Sequence, residues 1–114
     1  MFIIVIPMKI AITATGNSLE STLDERFGRC SYFVIYDTRS NETEFIANPN
    51  REAVNGAGPS AVQLIASRGV GKIVAMHFGS KIIDLLESLH IQMIKPDSGI
   101  TSVGEVIEML GRQH

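Results

Sequence analysis

The segment Arg26-Phe27-Gly28-Arg29-Cys30 sets two guanidinium groups beside the chain's single thiol. Neighbouring cations favour the thiolate, and a thiolate ligates soft metals or attacks electrophiles. The same cysteine also reads as a small buried hydrophobe, because it abuts the strand-like residues Tyr32 and Phe33. His77 stands just before Phe78-Gly79-Ser80, where a strand gives way to a helix. Open α/β sheets gather ligands at such ends because free helix N–H groups point outward there. A lone histidine neither fixes a metal nor identifies a base, so a partly buried His77 satisfied by backbone is the plainer alternative. Gly56-Ala57-Gly58-Pro59-Ser60-Ala61 has the G-x-G-x-x-A spacing of a pyrophosphate cradle and opens a helix. The dinucleotide version follows its strand directly and carries an acidic residue about 20 positions on, where this chain has Met76 and His77. A flexible loop and helix start account for these glycines.

Other chemistries lack their residues. No G-x-S-x-G occurs, and nothing in the sequence pairs Cys30 with His77 for nucleophilic catalysis. Two-metal nuclease chemistry needs carboxylates at the centre of a sheet, and the first predicted strand, Lys9 to Ala14, has none. Asp24, Glu25 and Asp37 read as loop and strand-end charges.

The elements that must position these groups follow from hydrophobic period and turn residues. Lys9 to Ala14 is a strand broken by Thr15-Gly16-Asn17-Ser18, and a loop runs from there to about Cys30. Tyr32 to Asp37 and Glu44 to Ala47 form a hairpin with Ser40-Asn41 near its tip, ended by Asn48-Pro49-Asn50. A Gly- and Asn-rich loop then leads to a helix with Pro59 in its first turn, carrying Val62, Ile65 and Ala66 and ending near Gly69. Lys72 to Met76 is a buried strand, and Ile82, Leu85, Leu86 and Leu89 mark the next helix. Ile91 to Ile94 is a short strand. Ser102 and Glu105 form a capping box before a last helix through Val106, Ile107 and Leu110, closed by Gly111. Leu85, Leu86, Leu89, Val106 and Ile107 are expected to face the sheet. The order predicts a mixed sheet with helices on its faces.

At 114 residues the chain is one ordinary domain. Ten Lys+Arg against twelve Asp+Glu give a net charge of −2, which lacks the basic surplus that binds nucleic acid. With 45% hydrophobic residues the chain can bury enough apolar surface to offset its ordering entropy. One cysteine excludes an internal disulfide and any multi-thiolate site within one chain, and favours a reducing compartment. The apolar run Phe2 to Pro7 is far shorter than the roughly 20 residues of a membrane span and has no cationic start like a signal peptide's. The expectation is a cytoplasmic protein with no membrane contact. Pro7 interrupts that run, so residues 1–7 read as an extension, residues 8–114 as the domain and Met8 as an alternative start.

Met8-Lys9-Ile10-Ala11-Ile12, Leu23-Asp24-Glu25-Arg26-Phe27-Gly28-Arg29-Cys30 followed by Tyr32-Phe33, and Asn48-Pro49 leading to Gly56-Ala57-Gly58-Pro59 together resemble one family. It is the dinitrogenase iron–molybdenum cofactor biosynthesis family, also called the nitrogenase accessory factor or NifX-like domain. The resemblance runs from Met8 to about Leu110. It implies a ribonuclease-H-like α/β fold, with a mixed five-stranded sheet and no nuclease carboxylates. It further implies a binder rather than an enzyme, one that transiently holds an iron–sulfur or iron–molybdenum-type cluster between donor and acceptor proteins. The family's loop carries histidine directly before Phe-Gly, and here Arg26 stands in that place. Arginine is a poor metal ligand but pairs with anionic groups. On this reading Arg26, Phe27, Gly28 and Arg29 contact the cofactor, and Cys30 and His77 are the metal-contacting candidates. A binding module for a small organic anion or a protein partner is the alternative, and a thiol-dependent enzyme is a further one. The oligomeric state is open.

Overall fold

The computed structural model describes residues 8–111. The expected extension at 1–7 lies outside the described residues. β1 (Lys9–Ala14), β2 (Tyr32–Asp37) and β3 (Thr43–Ala47) run antiparallel in succession. β4 (Val70–Val74) and β5 (Gln92–Ile94) add in parallel on the other side of β1, giving the sheet order β3-β2-β1-β4-β5. Three helices complete the fold: α1 (Ala57–Ser67), α2 (Ser80–Ser88) and α3 (Val103–Gly111).

Alternation along β1 divides the core in two, since successive side chains point to opposite faces. Ile10, Ile12 and Ala14 face α3, packing with Val103, Val106 and Leu110. Ala11 faces α1 and α2, where Phe33, Ile35 and Ile73 meet Ala61, Val62, Ile65 and Leu86. A small residue at position 11 leaves room for two helices on that face. The expected strands and helices all form, with β4 two residues earlier in the chain than its apolar run implied.

Helix ends follow local rules. Glu105 N–H donates to Ser102 Oγ at 3.2 Å and Ser102 Oγ donates to Glu105 Oε1 at 2.9 Å, so the two residues of the expected capping box do pair. Gly69 takes φ +75° after α1, as its position promised. After α2 the left-handed residue is His90, at φ +58°. Its N–H bonds Glu87 O at 3.1 Å and the Ile91 N–H bonds Leu86 O at 2.9 Å, a Schellman closure. This closure corrects one expectation. Leu89 does not face the sheet but is 46% exposed, because the helix stops at Ser88 and the chain turns; Ile91 and Leu86 fill the core instead.

Leu86 is fully buried between α2 and the sheet. Leu86→Ala therefore removes packed methyl groups from a site that cannot collapse fully, and should lower stability by about 2 to 5 kcal/mol, read as a fall in the urea midpoint.

Candidate functional site

The carboxyl ends of β1, β4 and β5 lie at one end of the sheet, together with the start of β2 and the end of β3. Residues 15–31 therefore leave and re-enter the sheet at the same end. Their first part is tied to the start of α3: Leu23 N–H donates to Thr101 O at 2.9 Å, Val103 N–H to Ser21 O at 3.0 Å, and Gly104 N–H to Leu19 O at 2.8 Å. Leu23 thus joins the core under α3, whereas Phe27 joins the core under α1 and α2, with its ring edge-on to Phe33 at 6.0 Å. Between them the chain crosses the end of the sheet.

Asp24 is the crossing point. Its N–H donates to Thr13 O at 3.0 Å and its carbonyl accepts from Thr13 Oγ1 at 2.9 Å, so the backbone is pinned to the end of β1. Its side chain, 6% exposed, works inside the loop: Oδ1 accepts from Arg26 N–H at 3.0 Å and Oδ2 from Ser31 N–H at 3.3 Å. Asp24 was expected to be an ordinary loop charge. It is instead a buried anion satisfied by backbone donors, the arrangement that keeps a desolvated carboxylate tolerable. Oδ1 also meets Arg26 Nε at 3.4 Å, while the Arg26 side chain as a whole is 58% exposed. Asn48 supports the loop from the other side, its Nδ2 donating to Gly28 O and Cys30 O, each at 3.0 Å. Neither role was read from the sequence, although Asp24-x-Arg26 and Asn48-Pro49-Asn50 are Asx-turn patterns that could have signalled them.

A second segment makes the same crossing next door, since β4 lies beside β1. Met76 packs toward the α3 side, Phe78 packs toward the α1 and α2 side with its ring 6.1 Å from Phe27, and His77 between them is exposed. Arg26 and His77 therefore stand on one crest, each held by apolar neighbours anchored on opposite faces. The helices α1 and α2 start here too. Their N-caps, Gly56 and Gly79, offer no side-chain cap, and neither first turn holds an acidic residue. Uncapped N–H groups and the helix dipoles thus add positive potential to that of Arg26. Gly28 backs directly onto Gly58, so that a Cβ on Gly28 would lie 2.9 Å from the Gly58 N and Cα atoms. Arg29 reaches sideways, with Nη1 donating to Arg51 O at 3.1 Å. A cavity of about 180 Å³ opens on the α3 side of the crest, lined by Thr22, Leu23, Glu25, Met76, Ser98, Ile100 and Thr101. A cavity of about 210 Å³ lies at the far end of the sheet between Lys9, Asp37 and Glu44, away from this chemistry.

Cys30 does not join the crest. Its side chain is fully buried in the core with Phe27 and Phe33, and burial, followed by the nearby Asp24 charge, pushes its thiol pKa up to about 12. The expectation of a soft, ionisable ligand at Cys30 does not fit this placement: Arg26 favours the thiolate but does not outweigh desolvation, and the side chain sits as a small apolar filler. The same burial keeps the Cys30 thiol away from solvent. Among the described residues no group of three or more His, Cys, Asp or Glu side chains could hold a metal ion.

Two outcomes follow from this geometry. Gly28→Ala should lower stability by about 1 to 3 kcal/mol in urea unfolding, because the new methyl meets rigid backbone rather than a side chain that can move. Native Cys30 should resist iodoacetamide at pH 8 and react at the rate of unfolding. Because its folded pKa lies above that of the unfolded thiol, about 8.5, its contribution is whole below that value and is lost as pH rises toward about 12. Urea midpoints from pH 8 to 11 should therefore fall more steeply for the wild type than for Cys30→Ala.

Residues 8–113 match the dinitrogenase iron–molybdenum cofactor family model. An uncharacterized protein of Methanocaldococcus jannaschii is 32% identical over 105 residues, covering 90% of this chain and 84% of its own length. Among solved structures, the apo form of the orange protein from Desulfovibrio gigas aligns with a TM-score of 0.84 at 28% identity, over 93% of this chain and 88% of that one. The NMR structure of a candidate NifB protein from Thermotoga aligns with a TM-score of 0.78 at 30% identity, over 92% of this chain and 88% of that one. The family match takes in every strand and helix described above, and the chain belongs to the dinitrogenase iron–molybdenum cofactor family.

Proposed function

We propose that this protein carries an anionic metallocluster of iron–sulfur or iron–molybdenum type between donor and acceptor proteins in the cytoplasm, without catalysing a reaction on it. The observation that carries the reading is the crest: Arg26 held from below by a buried carboxylate, with exposed His77 and two uncapped helix N-termini beside it. Family membership supports a cofactor-related role, and the structurally similar orange protein was solved in an apo form, which presupposes a loaded one. The sheet order with β2 antiparallel supports the ribonuclease-H-like reading of the fold, and a β1 free of carboxylates fits a member without nuclease chemistry.

The donor set suits cargo rather than a resident centre. With Cys30 sealed and His77 single, the described residues build no ligand cage of the kind that holds iron–sulfur clusters. A cluster would arrive with its own ligands and be held by charge and hydrogen bonds. Arg26 supplies a planar set of donors toward sulfide or carboxylate groups, and Asp24 keeps that guanidinium from swinging away. His77 adds one imidazole, enough for contact and too little for retention, so the cargo can leave for an acceptor. A lone, buried cysteine is consistent with a reducing compartment.

Anaerobic titration of a preformed anionic cluster, followed by visible absorbance, tests the reading. Wild type and Cys30→Ala should bind alike, His77→Ala more weakly, and Arg26→Ala, Arg29→Ala together at least about tenfold more weakly, with an affinity that falls as salt rises. Absence of uptake by the wild type, or equal uptake by all four, rejects it. The same crest has charge but few ligands, which also suits a small organic anion. Arginine-dependent binding of a tricarboxylate without cluster uptake would put that reading in its place.

A further inference from the structure

The cavity beside the crest has a character that the crest lacks. Its floor is apolar: Leu23 is 9% exposed, and Met76 and Ile100 are half-buried against the core under α3. Three separate segments converge on it, the β1 loop through Leu23, the β4 connector through Met76, and the β5–α3 loop through Ile100. The walls are held in place. Thr22 and Thr101 both line the cavity, and the Thr22 Oγ1 is engaged with Thr15 Oγ1 at 2.8 Å, whereas Leu23 N–H fixes the Thr101 carbonyl. Met76 immediately precedes the exposed His77, so the cavity and the crest share one segment of backbone.

Resting on the carrier reading above, we propose that this cavity seats the polarisable inorganic face of the cargo, and that the Met76 thioether is the chain's soft contact to it. Sequence had offered Cys30 for that part, and burial excludes it. A thioether needs no deprotonation to act as a soft donor and loses little water on contact. A sulfide-bridged metal cluster spreads its negative charge over large, weakly hydrated atoms, so one side of it can rest on Leu23, Met76 and Ile100 while another faces Arg26. A carboxylate ligand cannot divide itself in this way. It would surrender hydration to an apolar floor that has the Glu25 carboxylate on its rim. The cavity therefore separates the two kinds of anion that the crest alone would accept. Glu25 also opposes the anionic cargo, which weakens the hold and favours release.

The test uses protein labelled with carbon-13 at its methionine methyl groups, with Met76 assigned by the signal that Met76→Leu removes. A synthetic four-iron sulfide cubane carrying small thiolate ligands is added anaerobically. The expected result is paramagnetic broadening of the Met76 methyl at substoichiometric cubane, with Met8, at the opposite end of β1, unaffected. Met76→Leu keeps shape and apolarity, so it should fold normally and bind about three- to tenfold more weakly through loss of the sulfur alone. Glu25→Gln should bind more tightly. Uptake that depends on Arg26 but leaves the Met76 signal no broader than that of Met8, with Met76→Leu equal to wild type, overturns this inference and spares the carrier reading. No uptake by wild type overturns both.

Discussion

The buried Asp24 organises everything at the working end of the molecule. A carboxylate taken out of water must find donors, and Asp24 finds them in the N–H groups of Arg26 and Ser31, which lie on either side of the tight turn through Gly28 and Arg29. Its own backbone is fastened to Thr13 at the end of β1. One residue thus sets the position of the crossing loop and the bearing of the Arg26 side chain. The bonds that satisfy the buried carboxylate also hold the turn that carries Arg26.

That arrangement works because the sheet has two unequal faces. Two helices cover one and a single helix covers the other, and the two crossing segments stitch the faces together with Leu23 and Phe27 in one case and Met76 and Phe78 in the other. Between Leu23 and Phe27 the Asp24 side chain turns inward while Glu25 and Arg26 face outward, and between Met76 and Phe78 His77 faces outward. Apolar packing on both flanks fixes where Arg26 and His77 stand, and exposure spares their polar heads the cost of desolvation. The close backing of Gly28 onto Gly58 brings α1 up to the loop, and α2 follows through Ile82 against Gly58.

Much of this was legible in the sequence, and the reason is periodicity. The helical spacing in α1, the apolar, β-branched and aromatic runs of β1 and β2, the Ser102 to Glu105 capping pair and the Gly69 stop are local signals, and each formed where the residues said it would. What escaped was decided by contacts distant in sequence. Leu89 continues a helical stripe on paper, yet a left-handed His90 ends the helix one residue sooner. Cys30 beside two arginines looks reactive, yet its environment is set by Phe27, Phe33 and Asn48, which desolvate and enclose it. Asp24 resembles any loop acid until Thr13 and Ser31 are brought beside it by the fold.

The hydrogen bonds joining Ser21 and Leu23 to Val103 and Thr101 link parts of the chain separated by about eighty residues. Closing so long a loop costs entropy that nothing nearby repays until the sheet and α3 are in place. During synthesis the segment bearing Arg26 emerges about eighty residues before its anchors Thr101 and Val103. An incomplete chain would expose the arginines without the frame that aims them. The frame around Arg26 is in this sense complete only once the start of α3 is joined to the crossing loop.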